Sequence, residues 1–281
     1  MVIPASNIVQ GCLELRAVRD RLCRQSLLHG PDKPFDASVL PGTTGLNAAQ
    51  YRGQQLSHLS KHRWRTETTV MRYELEATLK EDNAKVIEAL RAVGIEVSSV
   101  YDLVNTKRAY PKAIPVLIEM LPLVKSDRIR EGIARALTIK EAGPIAAGPL
   151  IKAFRSAPDK TDSQRHAKWA IANALSVVAN EAVFKDIFEL ATQKRHGWTR
   201  SMLISVLPKI KKDQDKVKAE LLNLLDDEDP AVLREAVTAV GKLKLFDAVP
   251  KLEMLLTHES STIRAGVRRV LKTLRPLLEH G

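Results

Sequence analysis

The stretch DPAVLREAVTAVGKL, residues 229–243, has the pattern of a single amphipathic helix. Asp229 and Pro230 are typical of a helix start, because a carboxylate can accept hydrogen bonds from free backbone N–H groups and proline suits the first turn. The apolar residues that follow recur every three or four positions and so share one face. Related stretches begin at residues 126, 163, 197 and 260. The chain therefore repeats a helical unit at intervals of about 34 residues, and this repeat determines the fold.

A second helical pattern precedes each of these stretches. Pro115, Pro149 and Pro250 occupy the same position in it, separated by 34 and 101 residues, and 101 is close to three units of 34. Phe184 takes this position in the third unit. We expect the proline to lie in the first turn of its helix, where the missing N–H would have no partner within the helix. Each unit is then two antiparallel helices that bury their apolar faces only by stacking on neighbouring units.

The A-x-P-x-L pattern of the first helix and the D-x-x-[VI]-R-x-x-A pattern of the second helix resemble HEAT repeats, especially the short bacterial kind found in phycobilisome lyases. The resemblance covers roughly residues 110–275 and is strongest at 229–274. It implies an all-α fold, a right-handed α-solenoid (an α–α superhelix) of about five HEAT-like helical hairpins. The family also implies that the second helices line the concave side of the superhelix.

A basic residue follows the start of each second helix, and the second unit offers two candidates for it, Arg165 and Lys168. Counting from the proline position favours Arg165, whereas the apolar pattern that follows favours Lys168. With Lys168 in this position, Trp169 takes a mostly polar, outward-facing slot. With Arg165 there, Trp169 takes a half-buried slot between repeats.

Two surfaces are candidates for binding a partner. The first is a basic and aromatic patch suited to stacking on a nucleic-acid base or anchoring a peptide; in the alternative interpretation its two indoles pack between repeats. The second is the last helix, whose charges either cap the terminal repeat or dock an acidic partner. The first patch comprises Arg165, Lys168, Trp169, Trp198 and Arg200, and the second comprises Arg264, Arg268, Arg269 and Lys272.

Residues 1–70 differ from residues 71–281, which we predict to form the repeat domain. One helix is predicted at Gly11–Leu28, with Cys12 and Cys23 as reduced thiols on one face, followed by a flexible segment rich in Gly and Pro. A short basic segment surrounds Trp64 and either contacts nucleic acid or is simply solvated. The helical pattern begins after Met71, which suggests that Met71 is the physiological start and that residues 1–70 are a largely unstructured extension.

Composition limits the classes of function. The 281 residues carry 44 basic and 33 acidic side chains, a formal charge of +11, which favours acidic partners. The sequence contains no apolar run of about 18 residues that would span a membrane and no signal-peptide pattern, so we expect a cytoplasmic protein.

The sequence shows no recognisable catalytic constellation, and we predict no cofactor and no metal. It has no P-loop, G-x-S-x-G or G-x-G-x-x-G motif. Deoxyhypusine hydroxylases, which resemble this architecture, bind iron through repeated His-Glu pairs, whereas here the pair occurs once, at His258–Glu259. We therefore predict a non-catalytic scaffold or adaptor that binds a protein partner with an acidic surface. The alternatives are a nucleic-acid-binding protein, including a HEAT-like DNA glycosylase for alkylated bases, and a bilin lyase-like subunit.

Overall fold

The computed structural model describes residues 72–104, 106–211 and 213–279, with side chains up to Arg275. This part of the chain is helical and contains no β-strand. The predicted helix at Gly11–Leu28, both cysteines and the basic segment around Trp64 lie outside the described residues and stay predictions. Among the described helices, none combines the length and apolar character that a membrane span requires.

Helix α1 spans residues 72–92, the short helix α2 spans Tyr101–Val104, and buried residues of both belong to the same core. α1 ends at Gly94, whose φ of 80° is the left-handed conformation that glycine adopts easily at a helix end, as the sequence predicts. The stretch EDNAKVIEALRAVG, residues 81–94, predicts a helix with Asp82 or Asn83 as its N-cap and Gly94 as its C-cap. The N-cap prediction is wrong, because the chain is already helical at residue 72, ten residues before Asp82.

Asp82 instead connects α1 to the first repeat. Its side chain is buried, and Oδ2 accepts hydrogen bonds from the backbone N–H groups of Lys125 and Ser126, both at 2.6 Å. These two N–H groups lie just before the helix Asp127–Ala136, which is the second helix of the first repeat. A carboxylate from one element therefore caps the turn of another, 43 residues further along the chain.

Ten further helices form five consecutive hairpins between residues 113 and 279. The first helices of the hairpins are α3 (Ala113–Met120), α5 (Gly143–Ser156), α7 (Phe184–Thr192), α9 (Gln214–Leu224) and α11 (Val249–Met254). The second helices are α4 (Asp127–Ala136), α6 (Asp162–Val178), α8 (Ser201–Ile204), α10 (Pro230–Leu243) and α12 (Ser261–Glu279). The predicted all-α solenoid of about five hairpins is confirmed.

The second helices stack in chain order. α4 packs against α6, α6 against α8, α8 against α10, and α10 against α12. Gly241 on α10 lies so close to α12 that an added Cβ would be 2.8 Å from Cγ2 of Val270. The apolar faces of both helix layers join in one continuous core. Each hairpin is therefore stabilised by its neighbours, as in other repeat proteins.

The prolines behave differently from one hairpin to the next. Pro250 is the second residue of α11, in the first turn, as predicted. Pro149 is the seventh residue of α5, because that helix already begins at Gly143 and has Pro144 in its first turn. The prediction of a first-turn position is therefore wrong for Pro149.

The third hairpin has a broken second helix. Gly197, with φ 50° and ψ −143°, interrupts the 3-10 segment Lys194–Arg200, and α8 that follows is only four residues long. In the stretch SVLPKIKK, residues 205–212, Pro208 predicts a kink or an end of the helix, and it lies in the next 3-10 turn, Leu207–Lys209, which ends the helical stretch. The segment Lys194–Arg200, which carries Trp198 and Arg200, contacts the second helices of both neighbouring hairpins, α6 and α10.

Candidate interaction surface

In three of the hairpins, the first, second and fifth, the basic residue near the start of the second helix donates a hydrogen bond to the turn that precedes that helix. Arg130 donates to the carbonyl oxygen of Val124 at 2.7 Å, and Arg264 donates to that of His258 at 2.6 Å. Arg165 makes the same bond over the same six-residue separation, to the carbonyl oxygen of Asp159 at 3.2 Å. Arg165 is therefore the repeat position in the second hairpin, which decides between the two registers. The guanidinium groups of Arg165 and Arg264 are therefore engaged in hydrogen bonds to their own turns.

Lys168 lies in the core, not on the predicted patch. With Arg165 as the repeat position, Lys168 takes a slot that is apolar in the other hairpins, and it is 2% exposed. Its Nζ lies 2.7 Å from Oδ2 of Asp159 and 5.2 Å from the ring centroid of Phe154. The hydrogen bond from Lys168 holds the pKa of Asp159 below its usual value. The assignment of Lys168 to an exposed surface is thus wrong, because its ammonium is buried and pairs with Asp159, a partly exposed carboxylate of the preceding loop. The equivalent residues are Ile133, Leu203, Val237 and Val267.

Arg200 is also interior, so its place on the predicted patch is wrong. It is 1% exposed, and its Nη2 lies 2.5 Å from Oδ2 of Asp227, a buried carboxylate of the next hairpin. Its Nη1 donates to the carbonyl oxygen of Ala191 at 2.9 Å. The guanidinium therefore joins two hairpins and is sequestered from solvent.

The two predicted indoles reach the surface in one strip. Trp169 and Trp198 are half-buried. The Cζ atom of Arg135 on α4 lies 5.9 Å from the ring centroid of Trp169, and the ring centroids of His166 and Trp198 are 5.3 Å apart in an edge-to-face arrangement. His166 and Trp169 are three residues apart on α6 and share one face of it. We call Arg135, His166, Trp169 and Trp198 the indole strip. It crosses three consecutive hairpins.

Both earlier interpretations of the indoles therefore describe part of the geometry. Each ring packs against a side chain of its own or a neighbouring hairpin, and each keeps part of its surface in solvent. Sequence reasoning missed His166 and Arg135, which fix the two rings. The i, i+3 spacing of His166 and Trp169 was the available signal. Near the strip, Lys194 and Arg195 are exposed in the segment that carries Trp198.

On the last helix, Arg268, Arg269 and Lys272 are exposed, as a surface site requires. Arg264 differs from them, because its guanidinium is turned toward the carbonyl oxygens of His258 and Glu259. In the ranges that the structure describes, no cluster of three or more His, Cys, Asp or Glu side chains could hold a metal ion.

Beside the strip lies a buried histidine that sequence reasoning missed. His196 is 7% exposed, and its ring centroid lies 5.1 Å from that of Phe154 in an edge-to-face arrangement. Neither ring nitrogen has a hydrogen-bond partner within the described part of the chain. Burial, reinforced by the cations Lys168 and Arg195, lowers the pKa of His196 to about 4. The ring is therefore neutral in the folded protein at pH 7.

This pKa makes the fold sensitive to mild acid. In the unfolded chain His196 has a pKa near 6.5 and binds a proton that the folded ring does not bind. Its contribution to the stability of the fold is therefore fully present above pH 6.5 and decreases as the pH drops toward 4. We expect His196 to remove about 2 kcal/mol from the free energy of unfolding between about pH 7.5 and pH 5. Urea denaturation at the two pH values measures this loss. The His196→Gln variant should lose much less over the same interval, and an equal loss in both proteins would contradict the assignment.

Substitution of Lys168 is expected to leave the free energy of unfolding unchanged or to raise it. Lys168→Ile restores the residue type of the other hairpins and leaves Asp159 partly exposed, where water can solvate the carboxylate. The substitution removes the desolvation penalty of a buried ammonium and leaves only a partly exposed carboxylate, so we expect unchanged or higher stability. Thermal and urea unfolding test this. A loss of more than about 2 kcal/mol would show that the Lys168 charge stabilises the core.

Comparison with known proteins agrees with the repeat assignment. Residues 184–272 match the family model for HEAT repeats, which confirms the predicted resemblance over the third to fifth hairpins. A designed armadillo repeat protein in complex with the peptide (KR)4 is similar at 18% identity and a TM-score of 0.40, over 62% of this chain and 90% of that chain. A second designed armadillo repeat protein has 16% identity and a TM-score of 0.39, over 67% of this chain and 99% of its own. No curated protein matches this chain in sequence.

Proposed function

We propose that this chain of HEAT-like repeats is a non-catalytic scaffold or adaptor that binds a protein partner through the indole strip. One observation carries the proposal: Trp169 and Trp198 are half-exposed and held by Arg135 and His166 on helices that stack in a single core. Aromatic side chains held in this way lose little conformational entropy when a partner covers them. Tryptophan and arginine are also the residues that most often dominate binding energy in protein interfaces.

The charges near the strip favour a partner with acidic groups. Lys194 and Arg195 are exposed in the segment of Trp198, and the whole chain carries a formal charge of +11. Complementary charge at the rim of an interface raises the association rate and selects among partners. We therefore propose an acidic protein segment in which an apolar or aromatic side chain sits against the two indoles.

Substitution of the indoles tests this function. We expect Trp169→Ala and Trp198→Ala each to weaken binding of the partner by about 30-fold, which corresponds to about 2 kcal/mol. The partner is first isolated from an extract of the native source at physiological salt as a stoichiometric complex, and the affinities are then measured by titration. The free energy of unfolding of both variants should fall by less than about 2 kcal/mol; a larger fall with unchanged binding would assign the indoles to the core.

Phe188 provides the matched control. It is a half-buried aromatic residue in contact with a cation, Lys216, whose Nζ lies 4.6 Å from the ring centroid, but it belongs to α7 in the layer of first helices. Phe188→Ala should leave the affinity for the partner unchanged. If it weakens binding as much as the tryptophan substitutions do, the strip is not the binding surface.

Binding of single-stranded nucleic acid is the second candidate, because half-exposed indoles beside cations can also stack on bases. The two functions differ in their dependence on salt. Retention on DNA that falls steeply between about 50 and 200 mM salt would support nucleic-acid binding. A stable complex with one protein at physiological salt supports the proposed function.

A further inference from the structure

A groove lies at the other end of the repeat stack, between the 3-10 turn Leu255–Thr257 and α12. It encloses about 520 Å³. Its apolar lining is Leu271, which is buried, and Leu256, which is half-buried. Three basic side chains on successive turns of α12 complete the lining: Arg268, Lys272 and Arg275.

Two of these cations have no neutralising partner among the side chains that the structure describes. Arg275 pairs with Glu253, with Nη2 and Oε1 2.8 Å apart. Within the part of the chain whose side chains are described, Arg268 and Lys272 have neither an ion pair nor a side-chain hydrogen bond. Like charges four residues apart on one helix repel each other and weaken that helix. The arrangement is therefore unfavourable for the isolated chain, and carboxylates from outside would relieve the repulsion.

We propose that this groove binds an acidic amphipathic segment of a partner protein. Carboxylates of the segment pair with Arg268 and Lys272, the first of which can hold both carboxylate oxygens. An aliphatic side chain of the segment covers Leu256 and Leu271, whose apolar surface then leaves water. The groove is a second docking surface that shares no residue with the indole strip. This proposal does not depend on the function proposed for the indole strip.

The lining favours a protein segment over nucleic acid. Single-stranded nucleic acid is bound by aromatic rings on which bases stack and by a groove of cations that follows the backbone. This groove is lined by leucines in place of aromatic rings, and Arg268 and Lys272 lie one helical turn apart in it. Mixed carboxylate and aliphatic side chains, spaced by one turn of a helical peptide, match this lining.

A displayed library of random peptides about 12 residues long, roughly three helical turns, tests the proposal on the full chain. We expect enriched peptides to combine Asp or Glu with Leu, Ile or Met. The affinity of a labelled enriched peptide, measured by fluorescence anisotropy, should fall about tenfold or more in the double variant Arg268→Glu, Lys272→Glu. Enrichment of peptides without acidic residues would overturn the proposal.

Arg269 is the matched control, because it is equally exposed on α12 but does not line the groove. Arg269→Glu should change the affinity by less than about twofold. An effect equal to that of the double variant would mean that only the overall charge of the helix is read, which would overturn the proposal. The proposal would also be overturned if a single-stranded oligonucleotide displaced the labelled peptide at a lower concentration than the unlabelled peptide does. Loss of peptide binding in Trp169→Ala would place the peptide on the indole strip and overturn the assignment to the groove.

Discussion

Arg200→Met is expected to lower the free energy of unfolding by about 3–5 kcal/mol. The substitution keeps most of the side-chain volume but leaves the carboxylate of Asp227 buried without its partner, at 6% exposure. Breaking a buried pair from one side has this effect because the remaining charge keeps its desolvation penalty and loses the attraction that compensated it. Urea denaturation of the full chain measures the loss.

Arg234 is the control, since it takes the same repeat position in the next hairpin. It is exposed, and within the described part of the chain its guanidinium pairs only with Glu235, at 3.4 Å, so Arg234→Met should cost less than about 1 kcal/mol. The double variant Arg200→Met, Asp227→Leu should recover much of the loss, because both charges then leave the core. Equal effects at Arg200 and Arg234 would contradict the structural role assigned to the buried pair.

Asp82→Ala should have the second largest effect, a loss of about 3–4 kcal/mol in the free energy of unfolding. The buried carboxylate accepts two short hydrogen bonds from the backbone of Lys125 and Ser126, and a hydrogen bond to a charged group contributes about 1.5–3 kcal/mol. Its removal also weakens the connection between α1 and the first hairpin. Hydrogen exchange should report faster exchange in α1 and in the turn before α4.

Asp102 offers a matched comparison for Asp82. Its Oδ2 also accepts two backbone N–H groups, from Ser98 at 2.8 Å and Ser99 at 3.0 Å, but the site is exposed. Asp102→Ala removes the same number of backbone hydrogen bonds where water can replace them, so a loss of about 1 kcal/mol is expected. If Asp82→Ala is no more damaging than Asp102→Ala, burial does not strengthen the contact between α1 and the first repeat.

The parts of the fold that depend on local chemistry follow from the sequence. Asp229 caps α10 as predicted, because the N–H groups that its carboxylate accepts, those of Ala231 and Val232, are two and three residues away. Gly94 ends α1 and Pro208 ends the third hairpin for similarly local reasons. The stacking of hairpins follows from the repeat, since each unit shows one apolar face that only a neighbour can cover.

Whether a charged side chain is buried or exposed depends on partners that are distant in the sequence. For such side chains the predictions from the sequence were wrong. Lys168 and Arg200 resemble surface cations in the repeat pattern, yet their counterions come from the preceding loop and from the next hairpin, 9 and 27 residues away. The partners of Asp82 are further still. Trp169 is half-buried, as the Arg165 register predicts. The hydrogen bond of Arg165 to the turn before α6 decides that register, whereas the apolar pattern favours Lys168.

Photo-crosslinking from the indole strip tests the central claim most directly. The exposed residue His166 is replaced by p-benzoylphenylalanine, and the same group is placed at Lys185, which is exposed on the layer of first helices. In an extract of the native source at physiological salt, we predict one protein adduct from position 166, which is absent from position 185 and lost when Trp169→Ala is added. Adducts to nucleic acid, or the same adducts from both positions, would contradict a protein-binding surface at this strip.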